Sequence, residues 1–417
     1  MVLSSYCGGM DFSRTFRSLR NRNYRIWAAG AAVSNIGTWM QRTAQDWLVL
    51  TELTHHNAAA VGVVMGLQSA PQLLLLPWTG YAADRLDRRK LLLITQAVMG
   101  VLALALGLLV VGGVARLWQV DVFAFVFGCA NAFDAPARHS FVSELAGEAD
   151  LLNAVALNST SFNAGRMIGP AVAGLCIGVL GSGWAFVLNG LSFLGVLISL
   201  LFLRVADLHR NARAKPARGG FIEGARYVWR RPDLRAIVVI LALIGTFGLN
   251  FPIFISTMAV GVFHVGAGRY GLLTTLMAVG TLAGALAAAS QERADFRSLL
   301  TGAGAFALGC ALAALAPDYA VFGAMLMLVG VATLMLTTTT NTLMQLTSEP
   351  EMRGRVMAIR LAVALGGTPV GAPMVGWVAN HFGPRWALGV AALSGLAAAL
   401  VAARYLAFRR NQVSGVS

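Results

Sequence analysis

Arg42 and Asp46 stand four residues apart in an otherwise apolar run, a spacing that puts a guanidinium and a carboxylate on one face of a helix. Ionisable groups at membrane depth cost a few kcal/mol or more, so they are paired or functional. Burial disfavours an ionised carboxylate while a nearby guanidinium favours it, which makes the proton affinity of Asp46 tunable. Two readings stay open: Asp46 takes up and releases a proton, or Arg42 and Asp46 form a permanent ion pair that positions their helix. Arg166 is a third charge inside an apolar run, with no carboxylate near it in sequence. Its partner is a group across the fold, an anionic part of a substrate, or backbone carbonyls. A different kind of feature is the stretch "TGYAADRLDRRKLLL", in which six of the seven residues from Asp84 to Lys90 are charged.

Other chemistries find no support. The six histidines (55, 56, 139, 209, 264 and 381) are scattered and lack H-E-x-x-H spacing, and the four cysteines show no metal-type spacing. A phosphate-binding Gly-Lys loop is absent from the sequence. The chain is expected to use no metal, no cofactor and no direct ATP chemistry, and not to be an enzyme; a membrane enzyme is the remote alternative. A channel is disfavoured because no ring of like charge is apparent.

These residues must be positioned by membrane-spanning helices. The 417 residues are 57% hydrophobic and only 12% charged, whereas soluble domains run near a quarter charged. The net charge of +14 is dispersed in short bursts between apolar runs, a topology signal rather than a nucleic-acid face. Continuous apolar runs, not alternation, exclude a barrel. Twelve spans are expected at 25–50, 58–83, 91–113, 119–137, 153–180, 184–203, 235–262, 270–289, 298–316, 319–346, 355–380 and 385–406. With the N-terminus in the cytoplasm, 27 of the 32 basic residues fall in cytoplasmic segments. Arg116, Arg269 and Arg385 fall outside, and Arg42 and Arg166 lie within helices. Both termini are therefore expected in the cytoplasm, which puts Asp46 in the outer half of its span.

The expected architecture is an all-α membrane protein of two pseudo-symmetric six-helix bundles. A basic lead-in (1–24) precedes the first bundle (25–203). A linker (204–234), ending in an interfacial helix with Tyr227 and Trp229 at headgroup level, leads to the second bundle (235–406) and a tail (407–417). At an offset of 202, Gly165, Gly169, Gly174, Gly181, Trp184 and Ala185 fall on Gly367, Gly371, Gly376, Gly383, Trp386 and Ala387. At an offset of 208, "DRLDRR" falls on "ERADFR". Such parallel repeats mark transporters whose halves rock about a central site.

Twelve helices, a repeat of six and a basic central loop resemble the major facilitator superfamily. The opening stretch resembles that family's signature between its second and third helices, with Gly80, Ala83, Asp84, Arg85, Arg88 and Arg89 matching and Asp87 replacing a glycine. The D-R-x-D-R-R form is similar to the branch containing the enterobactin exporter and drug-efflux carriers. So are "VSNIGTWMQRTAQDWLVL", "DAPARHSFVSEL", "RMIGPAVAG" and "RGRVMA". The resemblance implies a bacterial inner-membrane carrier working by alternating access. It also implies that the signature latches against the helix starting near Arg353 and Arg355 when the outer side is open. Gly80 would allow close helix approach, and Asp134, with Arg138 one turn on, would accept from Arg85 or Arg88. The alternative is that these charges only set topology.

The substrate cavity is expected between the bundles. First-half candidates are Asn35, Trp39, Gln41, Gln68 and Gln72; second-half candidates are Thr246, Asn250, Phe251, Thr274, Thr275, Thr338 and Asn341. So little charge suits a bulky amphipathic molecule. The expected function is proton-coupled export (antiport) of a drug-like or siderophore-like molecule by a monomer, with Asp46, Arg42 and Arg166 coupling to protons. Import or facilitated passage of a metabolite is the alternative, and no nucleic-acid partner is expected.

Overall fold

A computed structural model describes residues 16–209, 220–289 and 294–414. The chain folds as α1 (Arg22–Trp47), α2 (Ala58–Leu74), α3 (Leu76–Arg85), α4 (Arg88–Val111), α5 (Leu117–Leu180), α6 (Ser182–Leu201) and α7 (Phe221–Arg230). There follow α8 (Pro232–Leu243), α9 (Phe251–Gly261), α10 (Ala267–Ala289), α11 (Phe296–Ala314), α12 (Tyr319–Thr347), α13 (Arg353–Phe382) and α14 (Pro384–Ser414). Short polar side chains start several of these helices by accepting otherwise unbonded N–H groups. Asn21 caps α1, Asn57 caps α2, Asp87 caps α4 and Asp318 caps α12. The 64-residue run of α5 is interrupted at Gly147, whose φ of 69° and ψ of 173° no helix contains.

Among the described residues, nine helices are long and apolar enough to cross a membrane, or ten if α2 and the start of α3 form one bent span. α1 falls short because its Asn, Gln, Arg and Asp residues dilute the apolar run. α14 stays helical to Ser414, so most of the expected tail extends the last helix. Two helices widen to π-turns, Leu48–Leu53 after α1 and Ile244–Gly248 after α8. Such turns are frequent where side chains must be re-aimed at functional sites.

Glycines let the N-terminal and C-terminal sets of helices touch. A β-carbon at Gly62 of α2 would collide with the Ala372 carbonyl oxygen of α13, and one at Gly271 of α10 with that of Pro170 in α5. Positions related by the offset of 202 occupy like places. Gly174 lies against the start of α10 and Gly376 against the start of α2, while Gly181 and Gly383 end their helices at φ 95° and 99°. Asn380 donates to Asn57 Oδ1 and accepts from the Ala58 N–H, both at 2.6 Å. These contacts close one end of the molecule. The antiparallel pair α2 and α13 stays in contact as far as Leu73 and Gly366. Beyond that point α3 turns away from α2 by 58°.

That bend corrects one expectation. Gly80 has no atom within 4 Å of where a β-carbon would sit, so it mediates no close approach. The break after Pro71 and before Pro77 turns it off the line of α2 and leaves its β-carbon position open.

Candidate transport site

A cavity of about 560 Å³ lies between the two sets of helices. One wall comes from α1, where Trp39, Arg42, Thr43 and Asp46 follow the helical repeat onto one face. Gln68 and Gln72 of α2 and Arg166 of α5 complete that side; Phe251, Tyr270, Thr274 and Thr368 face them from the other set. Asp46 is 7% exposed, and its Oδ2 accepts a hydrogen bond from the Tyr270 hydroxyl at 3.4 Å. The Tyr270 ring stacks on Trp47 with centroids 5.8 Å apart. A carboxylate in the first set of helices is thereby held by a phenol of the second.

Arg42 forms no ion pair with Asp46 within 4.0 Å among the described residues, although both line the cavity, so the permanent pair is not what this conformation holds. Its Nε is buried without a hydrogen-bond partner. The Trp39 ring takes up both guanidiniums, with Arg42 Cζ 5.1 Å and Arg166 Cζ 5.7 Å from its centroid. Phe162 packs edge-on against the same indole at 5.6 Å.

Of the other expected cavity residues, Asn35 lines an adjoining chamber of about 260 Å³ that shares Trp39, Arg42 and His139 with the main cavity. Gln41 does not face the cavity; it is buried and accepts from Asn189 at 2.6 Å. Asn250 is likewise buried and donates to the Thr246 carbonyl. Thr246 is pressed against Gly367 and Gly371. Thr275 donates to the Met167 carbonyl across the α5–α10 contact. Thr338 and Asn341 are absent from the lining. Gln41, Thr246 and Asn250 miss the cavity because a polar residue in a helix packs as readily against a neighbour as into a cavity, whereas Thr338 is exposed away from it.

The charged knot is satisfied locally. Arg85 donates to Tyr81, Arg88 pairs with Glu144, and Arg89 donates to the Leu200 carbonyl. Asp87 accepts from the Lys90 N–H, while the Asp84 side chain and the first two residues of the second knot (292–297), Glu292 and Arg293, lie outside the described residues. Asp134 does not accept from Arg85 or Arg88. It is 2% exposed and takes two bonds from Arg138, one turn away, and one each from Thr95 and Gln96. With four donors already converging, Arg88 turns to Glu144 instead. At the start of α13, Arg353 donates to the Gln345 carbonyl and Arg355 pairs with Glu223 at 3.0 Å.

Sequence reasoning passed over Tyr270, His139, Asn131 and Thr368 in the cavity wall. Tyr270 had a weak signal, as a phenol four residues into an apolar helix. Arg360 lies inside α13 with a buried and unpartnered Nε.

Residues 13–413 match a family described as transmembrane secretion effector. The chain is 26% identical to the multidrug efflux pump Tap of Mycolicibacterium fortuitum, over 85% of this chain and 88% of that one. It is 22% identical to the enterobactin exporter EntS of Citrobacter koseri over 79% of each. Identity to the staphyloferrin A transporter of Staphylococcus aureus is 27%, over 59% of this chain and 61% of that relative, less than two thirds of its length. In three dimensions it resembles a bacterial homologue of the human lysosomal transporter Spinster in an inward-facing, unoccupied conformation, with a TM-score of 0.70, 17% identity and coverage of 93% and 96%. The nucleoside transporter NupG gives a TM-score of 0.72 at 12% identity, with coverage of 92% and 98%. The chain therefore belongs to the transmembrane secretion effector family of the major facilitator superfamily, and it is a multi-pass membrane transporter rather than an enzyme.

Proposed function

We propose that this transporter exports an amphipathic, drug-like or siderophore-like molecule in exchange for protons, by alternating access in a bacterial inner membrane. The observation that carries the reading is Asp46, the carboxylate lining the central cavity, held by Tyr270 across the two sets of helices. An ionised Asp46 accepts the phenol and favours the arrangement in which that end is closed. Protonation removes the charge from the bond and favours separation. A proton taken up with one end open is then released when the other opens, and the emptied site accepts a neutral or cationic substrate. The names of Tap and EntS support export of such molecules.

We further read the fold as twelve spans in two sets of six: α1, α2 with α3, α4, the two limbs of α5, α6, α8 with α9, and α10 to α14. The offset of 202 between like glycines supports that division. Basic residues at the α3–α4 and α7–α8 turns support cytoplasmic termini, so the closed end faces outward and the molecule is open inward. In the opposite state the Asp84–Arg89 knot would meet the start of α13 as a latch. The protein is proposed to act as a monomer.

A second reading follows from Arg42 and Arg166, two guanidiniums facing a cavity with one carboxylate between the halves. An anionic metabolite bound there would draw a proton onto Asp46 rather than expel it, which makes cotransport the natural outcome. Proteoliposomes with an imposed pH gradient separate the two. Exchange concentrates substrate on the proton-rich side, and cotransport on the opposite side. Transport indifferent to the gradient would overturn both.

A further inference from the structure

The short helix α7 presents three faces. Gly224 and Val228 are buried, and a β-carbon at Gly224 would lie 2.9 Å from Cβ of Arg355 in α13. Next around the helix, Ile222 and Trp229 are 74% and 62% exposed. Beyond them come the exposed Arg226 and Arg230. An apolar edge flanked by arginines, on a helix lying between membrane spans, is the arrangement of a segment seated at a bilayer surface. The same helix is tied to the start of α13 through Glu223 and Arg355 at 3.0 Å. Tyr227 Oη accepts from the Glu349 N–H at 3.4 Å. α13 in turn lines the central cavity through Ala364, Leu365 and Thr368.

We propose that Arg226 and Arg230 form a recognition surface for anionic phospholipid headgroups, and that lipid seated there sets the position of the start of α13. Trp229 and Ile222 sink into the acyl boundary, which brings both guanidiniums to phosphate depth. Each arginine near an anionic surface strengthens association several-fold. The inference rests on the membrane-transporter reading but not on proton coupling or on the identity of the substrate.

Trp229 reports the contact directly. The full chain is reconstituted in phosphatidylethanolamine vesicles containing brominated phosphatidylglycerol or brominated phosphatidylcholine, and a Trp229→Phe variant subtracts the other tryptophans. Several-fold stronger quenching by the anionic lipid is expected in the wild type, lost in R226Q/R230Q and kept in R226K/R230K. Equal quenching by both lipids, or an unchanged preference in R226Q/R230Q, would overturn the site. Loss of the preference on adding inorganic phosphate would also overturn it, because the surface would then bind a soluble anion. For the link to α13, spin labels at Tyr81→Cys and Ala358→Cys should change separation with anionic lipid, and should stop doing so in Glu223→Gln. A separation that ignores lipid charge would overturn the link. None of these measurements uses a substrate or a pH gradient, so they can fail while export stands.

Discussion

The hydroxyl of Tyr270 donates to Asp46 across the contact between the two sets of helices, at 3.4 Å and with the phenol 1% exposed. It joins the residue proposed to carry the proton to the interface that must part. Tyr270→Phe keeps the ring stacked on Trp47 and removes the bond alone. At about 1 kcal/mol for a bond of this length, the population closed at that end should fall roughly fivefold relative to the open one. Distance measurements between spin labels on α2 and α13 at the Asn57–Asn380 end check this.

The glycine contacts make a steric prediction of the opposite kind. Gly271→Ala drives a methyl group into the Pro170 carbonyl, and no side-chain motion relieves it. The closed end should be unable to close. Labels at that end should report separation, and export should drop severely while the helices remain folded by circular dichroism.

The Asp134 cluster tests the revised assignment of the signature. Breaking a buried pair on one side costs about 3–5 kcal/mol, so Asp134→Asn should lower thermal stability sharply. A double-mutant cycle with Arg138→Gln should be strongly non-additive, whereas one with Arg88→Gln should be close to additive. Coupling to Arg88 instead would restore the assignment read from sequence.

Asp295, outside the membrane spans, caps α11. The Ser298 backbone N–H bonded to its carboxylate holds it below the usual carboxylate range, with smaller help from the Ser298 hydroxyl and Arg297. Because the folded state lowers this pKa, the charged cap's contribution is complete above the ordinary value of about 4 and fades as pH falls through the lower folded value. Asp295→Ala should cost about 1 kcal/mol at neutral pH and less in acid, with Asn substituting well. Thermal unfolding in detergent across that range checks it.

Much of this was legible in the sequence because lipid imposes harsh rules. Arg42, Asp46 and Arg166 stood out against apolar runs, and Trp39, Gln68, Gln72, Phe251 and Thr274 also reached the cavity wall. What escaped is set by tertiary packing. Gln41 and Asn250 look like cavity residues until Asn189 and the Thr246 carbonyl claim them. Gly80 follows a family pattern, but the bend after Leu74 decides what it meets. Tyr270 carries no charge, so hydropathy could not mark it; its meaning comes from the α5–α10 contact that brings it to Asp46.

The central claim is that Asp46 carries the exchanged proton. Its most direct test is substrate export by Asp46→Asn in proteoliposomes, with and without an imposed pH gradient, alongside the wild type. The variant should still bind substrate and pass it down its own gradient, and should lose all acceleration by the pH gradient. Export by Asp46→Asn that still responds to the pH gradient as the wild type does would contradict the account.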